Sequence, residues 1–251
     1  MVSQEFSLKG KTALIAGDSK YWSKYAAKAL AEAGADVALS ARNNKHLEEA
    51  ADEIQKQNRK ALIIPTETNN TVNIQRVLGQ VLNEFGRIDI LVNASDFVFA
   101  KPFLQISEKE WRQVMDENLM PAFLYSQAVV KPMKEQSKGR IINLISCMAE
   151  RGVENFTAYC TSMGGVLQLT RALNLEVARH GITVNAIGTA WISEVEKTGD
   201  AAEELVLKYL PLKRYGKPDE IDSLLVYLAS DTSSFFTGQF LYVDGAVMSH
   251  P

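Results

Sequence analysis

A single-domain α/β fold with a doubly wound parallel sheet is what this sequence predicts, and three observations carry the prediction. Short apolar runs alternate with amphipathic helical stretches along the chain. The first such pair, Lys11 to Gly17 and Ser23 to Gly34, is a strand closed by glycine and a helix closed by a glycine cap, which is how a sheet of this kind begins. Finally, 251 residues of which 46% are hydrophobic can bury one full core, so residues 1–251 need no second domain.

The remaining elements follow in order. Asp36 to Ser40 is the second strand, and helix Asn44 to Gln57, strand Ala61 to Pro65, helix Thr71 to Phe85 and strand Ile88 to Asn93 continue the alternation. Ser107 to Met133 is a helical stretch expected to bend at Pro121, whose ring removes one ladder hydrogen bond. Ile141 to Ile145 is a buried strand, followed by a loop from Ser146 and a long helix from Tyr159 to Arg179. Thr183 to Ile187 is the sixth strand, Ala201 to Tyr209 a short helix, Pro218 to Ala229 a helix with proline in its first turn, and Phe240 to Val243 the last strand. No internal repeat, low-complexity segment or linker interrupts the series.

Charge and composition exclude several functions. A net charge of -3 without any basic run is not the footprint of a nucleic-acid binder. The segment MVSQEFSLKGK has no apolar signal-like core, and no window approaches the uninterrupted apolar run of about 18 residues that a membrane span needs. A cytoplasmic protein with neither membrane nor nucleic-acid partners is expected. Cys147 and Cys160 lack metal-ligand spacing and read as packed thiols, so no metal is expected.

The candidate chemistry lies between Gly139 and Arg179. Ser146 ends a buried strand and Tyr159 opens the next helix thirteen residues later, so two hydroxyls can face one cleft. On these residues the sequence resembles the short-chain dehydrogenase/reductase (SDR) family, and the resemblance covers essentially the whole chain. It implies a Rossmann-like fold and a site in which the serine orients the substrate oxygen and the tyrosine transfers the proton. An asparagine, matched by Asn118 seven residues after Trp111, helps hold a relay water. The family's motif also puts a lysine four residues after the tyrosine. Met163 stands there, on the same helix face, and a thioether carries no charge. A tyrosine of reference pKa about 10 is a poor relay near neutrality without a neighbouring cation.

The motifs that hold a dinucleotide in the family are also altered. Its T-G-x-x-x-G-x-G turn is matched by AGDSKYWS from Ala16 to Ser23, which keeps Gly17 and sets Tyr21 and Trp22 where the pyrophosphate would lie. Lys20 and Arg42 match the cations that NADP-preferring members use, and Glu67 matches the adenine-contacting aspartate. The N-N-A-G end of the fourth strand is matched by Asn93, Ala94, Ser95 and Asp96, which adds a carboxylate on the path of an anionic cofactor. P-G-x-x-x-T after the sixth strand has become the run from Thr189 to Glu194.

These changes fall on residues assigned to the cofactor and to tuning the tyrosine, while the patterning of the core and of the segments around Pro211 and Thr237 is intact. The resulting expectation is a catalytically degenerate SDR subunit. It binds no cofactor and assembles with an active SDR homologue as a heterotetramer, as in the hydroxyacyl-CoA-oxidising members of anaerobic toluene degradation. Val166, Leu169, Leu173 and Val177 of the long helix and Phe240, Leu241 and Val243 of the last strand are expected to serve the interfaces. The alternatives are a working oxidoreductase of a hydroxyacyl or keto substrate using NADP or NAD, with another cation in the lysine's role, and a repurposed SDR active without nicotinamide.

Overall fold

Seven strands and the helices between them are laid out as the alternation requires. The computed structural model describes residues 4–17, 22–42, 44–194 and 206–249. In order, the main elements are β1 (Thr12–Ala16), α1 (Trp22–Glu32), β2 (Asp36–Ala41), α2 (Asn44–Lys56), β3 (Ala61–Pro65), α3 (Thr71–Phe85) and β4 (Ile90–Asn93). They continue as α4 (Glu108–Glu135), β5 (Gly139–Ser146), α5 (Thr157–Val177), β6 (Ile182–Thr189), α6 (Asp222–Ala229) and β7 (Phe240–Val243). The strands form one parallel sheet in the order β3-β2-β1-β4-β5-β6-β7. The chain therefore reverses its direction of winding between β1 and β4, and that switch point, at the carboxyl ends of the strands, is where such sheets hold ligands.

Two apolar layers cover the sheet. Leu30 of α1, Leu47 and Ile54 of α2, and Leu225 and Leu228 of α6 pack on one face. Ile74 and Val81 of α3, Tyr125 and Met133 of α4, and Val177 of α5 pack on the other. A buried polar seam fixes the second layer to the strands. Asn93 Nδ2 donates to Asn143 Oδ1 at 2.7 Å and to Ser126 Oγ at 3.2 Å, and Asn143 Nδ2 donates to Thr170 Oγ1 at 2.8 Å. Buried amides hold such partners because leaving one unpaired costs the full desolvation penalty.

Helix ends are set by their caps. Asn70 Oδ1 accepts from Val72 N and Asn73 N at the start of α3, and Gly86 closes it with φ 75°. Ser107 and Glu110 form a reciprocal capping box at α4, which then runs on through Pro121 and Pro132 to Glu135. Differences from the sequence expectation are few. β5 and β6 pair over eight residues each, longer than their apolar runs: Gly139, Arg140 and Ser146 extend β5, and Ile182, Gly188 and Thr189 extend β6; Arg140 is buried with its Nε donating to Ser230 O at 3.1 Å. The expected helix Pro218 to Ala229 is a 3-10 turn over Pro218–Ile221 and then α6. Of the expected helix Ala201 to Tyr209, residues 206–209 are helical and 201–205 lie outside the described residues.

Candidate active site

The site forms where β1, β4, β5 and β6 end. Ser146 is the last residue of β5, and its Oγ accepts from Met148 N at 3.1 Å, turning the chain into the short 3-10 segment Cys147–Ala149. α5 then starts at Thr157 and carries Tyr159, 4% exposed, back over the strand ends. Ser146 and Tyr159 thus meet as the spacing predicts, and the Ser146 hydroxyl favours the ionised phenol.

Every other leading influence on Tyr159 opposes ionisation. Burial acts first, followed by the Asp96 carboxylate, and together they hold the phenol well above its ordinary pKa. Its Oη donates to Asp96 Oδ1 at 2.6 Å, the short distance of a charge-assisted bond. Asp96 also accepts from the Trp22 indole N–H, and burial pushes its own carboxyl above the usual carboxylate range. Met163 sits one turn along α5, 1% exposed among Ala122, Ile145, Val166 and Leu167. No cation figures among the leading influences on the phenol, which is where a substitute for the lysine would have to act.

Asn118 lies close by with its amide committed locally. Its Oδ1 accepts from Phe97 N at 2.7 Å, and its Nδ2 donates to Phe97 O and Ser162 Oγ. That set ties the segment after β4 to α4 and α5. Trp22 is buried at the start of α1, so this aromatic turns inward, while Lys20 and Tyr21 lie outside the described residues.

The adenosine side carries the other expected residues. Gly17 has φ 127°, and a Cβ there would lie 2.4 Å from Ser95 N, so only glycine lets β1 and β4 end this close. Among the described residues, Ser95 Oγ and Asn93 Oδ1 are buried without a hydrogen-bond partner. Arg42, just past β2, forks onto Glu117 at 2.9 and 2.6 Å, with Glu67 3.9 Å from its Nε. After β6, Trp191 adopts φ 44°, a conformation a bulky side chain rarely takes, and Gly216 pins the segment through Trp191 O and Ser193 N. The Glu194 side chain accepts from the Tyr25 phenol, whose pKa is pushed up to about 12 by burial and by that carboxylate.

A cavity of about 430 Å³ opens just past the end of β5, lined among others by Cys147, Met148, Arg151, Glu154, Trp191 and Tyr209. Arg151 Nη1 donates to Val247 O at 2.9 Å, and among the described residues no carboxylate lies within ion-pair distance of it. Sequence reasoning missed this arginine because no motif marks it. It flagged Asp96 for its charge, but the bond to Tyr159 spans 63 residues and left no local signal.

Comparison with known proteins places the chain. A family model described as Enoyl-(Acyl carrier protein) reductase matches residues 23–247. The chain is 32% identical over 247 residues to 5-keto-D-gluconate 5-reductase of Escherichia coli K12, covering 97% of each protein. It is 33% identical over 240 residues to subunit BbsD of a hydroxy(phenyl)methylsuccinyl-CoA dehydrogenase of Thauera aromatica, covering 95% of this chain and 96% of that one. A solved gluconate 5-dehydrogenase of Burkholderia cenocepacia in complex with NADP and tartrate superposes with a TM-score of 0.91 at 29% identity, over 98% of both chains.

These matches correct one expectation. A chain without a cofactor, and with it the nicotinamide-free alternative, does not stand, because the family and its solved neighbours use nicotinamide dinucleotides. The lost glycines were misleading because the approach of β1 to β4 rests on Gly17, which is kept, and the cradle it makes holds two unpartnered polar atoms. Gly17, Asn93 and Ser95, with Arg42 and Glu67 beyond them, fit the adenosine half of such a cofactor. Fold, site placement and relatives agree: this chain belongs to the short-chain dehydrogenase/reductase family of oxidoreductases.

Proposed function

We propose that this chain is a subunit of a hetero-oligomeric SDR alcohol dehydrogenase acting on a hydroxyacyl-CoA, in which a homologous SDR subunit carries out the oxidation. The observation that carries the reading is the Tyr159 phenol held on Asp96 over Met163. Oxidising an alcohol sends its hydride to the nicotinamide when that cofactor is bound. The hydroxyl proton must then pass to a base at the tyrosine's position. Here Ser146 can still orient an oxygen, but the phenol keeps its own proton pointed at a carboxylate. Each unit by which its pKa is raised adds about 1.4 kcal/mol to forming the phenolate.

The Thauera relative supports the assembly half of the reading, since its name describes one subunit of a dehydrogenase of a CoA thioester. Exposed apolar side chains supply surface for it: Met120 and Phe123 on α4, Leu175 on α5, and Leu212 and Phe235 towards the C-terminus. Two copies of this chain with two of the active homologue satisfy the two-fold symmetry such interfaces use. The cavity beside Cys147, with the Trp191 and Tyr209 rings, the Arg151 guanidinium and the Glu154 carboxylate in its lining, suits an acyl group with an apolar body and a polar end.

A second reading, a working NAD(P)-dependent oxidoreductase of a hydroxyacyl or keto substrate, is favoured by the meeting of Ser146 and Tyr159 at one cleft and by relatives named as reductases. Co-expression with a motif-complete SDR homologue from the same genome separates the two. Native mass spectrometry is expected to find both chains in one tetramer; separate elution, with the partner equally active and stable alone, contradicts the subunit reading.

A further inference from the structure

Asp96 stands where two helices and two strands converge. β1 and β4 are neighbours in register, Ala16 beside Asn93, so the carboxyl ends of the two strands lie side by side at the switch point. A dinucleotide at that point must pass between them. Trp22 belongs to the first turn of α1, Tyr159 to the first turn of α5, and Asp96 reaches both from the end of β4.

We propose that Asp96 is the latch of the dinucleotide cleft: its carboxylate, held by the Trp22 indole and the Tyr159 phenol, ties α1 to α5 across the ends of β1 and β4, and the nicotinamide half of the cofactor enters only when these bonds open. Three features of the site support this. Both donors are neutral groups on one carboxylate, an arrangement that pairs all three while the cleft is closed. The carboxylate adds negative charge beside the route of an anionic pyrophosphate. Beneath the latch, Ser95 Oγ and Asn93 Oδ1 have no partners, a cost borne by the closed form and relieved by a polar ligand that reaches them. The adenosine side, marked by Arg42 and Glu67, lies beyond the latch and stays accessible, with Arg42 38% and Glu67 61% exposed at their side chains.

The inference concerns cofactor access and holds whether or not the chain turns over substrate. Its test is a binding titration of the isolated full-length chain with NADPH and NADH, read by nicotinamide fluorescence, and with AMP, read by calorimetry. Asp96→Gly is expected to tighten reduced dinucleotide by at least about tenfold, the scale of charged hydrogen bonds no longer broken on binding, and to leave AMP unchanged. Trp22→Phe, which removes the indole donor while keeping an aromatic ring at the position, is expected to move dinucleotide affinity the same way by a smaller factor, so the test survives poor folding of the glycine variant. Unchanged dinucleotide affinity in both variants overturns the latch. So does an equal tightening of AMP, which indicates general loosening.

Discussion

A phenol in a cleft relays protons only when something lowers the cost of its anion, and at Tyr159 burial and the Asp96 carboxylate do the reverse and outweigh the Ser146 hydroxyl. Met163→Lys restores the family's residue but places an amine among Ala122, Ile145, Val166 and Leu167. On its own it is expected to lower the melting temperature and to leave Tyr159 titrating high, because Asp96 still accepts its proton. Adding Asp96→Gly is expected to bring that titration down, measured by ultraviolet difference absorbance against a Tyr159→Phe reference. Gly17→Ala tests the cradle: a Cβ 2.4 Å from Ser95 N at φ 127° is expected to cost about 2–4 kcal/mol in chemical denaturation and to weaken dinucleotide binding. The sequence made Ser146, Tyr159, Met163 and Gly17 legible because each is a motif position. It could not show that Asp96 joins Tyr159 and Trp22, since that contact depends on how three distant segments close.

At the scale of elements, capping and burial decide what can be checked. Ser107→Ala removes the cap that accepts from Glu110 N at 3.3 Å and is expected to destabilise by about 1 kcal/mol in urea unfolding. Asp222, the first residue of α6, has its Oδ1 buried without a partner, and burial raises its pKa to about 7. A carboxyl whose folded pKa lies above its unfolded value binds its proton more tightly when folded, so its contribution to stability falls as pH rises from the ordinary carboxylate range through 7. Asp222→Asn is therefore expected to raise the melting temperature near pH 8 and to change it little near pH 5. The bounds of β3 and α3 could be read directly, because apolar runs and turn residues coincide with their ends. β5 outran its apolar core because Arg140 is buried with a partner outside the strand, Ser230 O, which a local pattern does not reveal. α5 begins two residues before Tyr159, at Thr157, and Phe156 just ahead of it packs edge to face on the Tyr159 ring.

Among the described residues the exposed large apolar side chains are spread over the molecule, from Val72 on α3 and Leu104 before α4 to Leu175 on α5 and Phe235 before β7. Val166 and Val177, which the helical spacing marks for an interface, are instead 3% and 1% exposed and belong to the chain's own core. Helix periodicity alone cannot tell an inward stripe from an outward one. On α4 and α5 the exposed large apolar side chains are Met120, Phe123 and Leu175. No helix among the described residues is long and apolar enough to cross a membrane. The central claim is that this chain contributes structure while a homologue contributes turnover, and it is tested most directly by placing Tyr159→Phe in this chain within the co-assembled tetramer. The rate of hydroxyacyl-CoA oxidation per tetramer is expected to match that of the unsubstituted complex, while the corresponding tyrosine change in the homologue abolishes it. Loss of half or more of the rate on Tyr159→Phe, in a tetramer that still assembles, would show that Tyr159 itself transfers the proton.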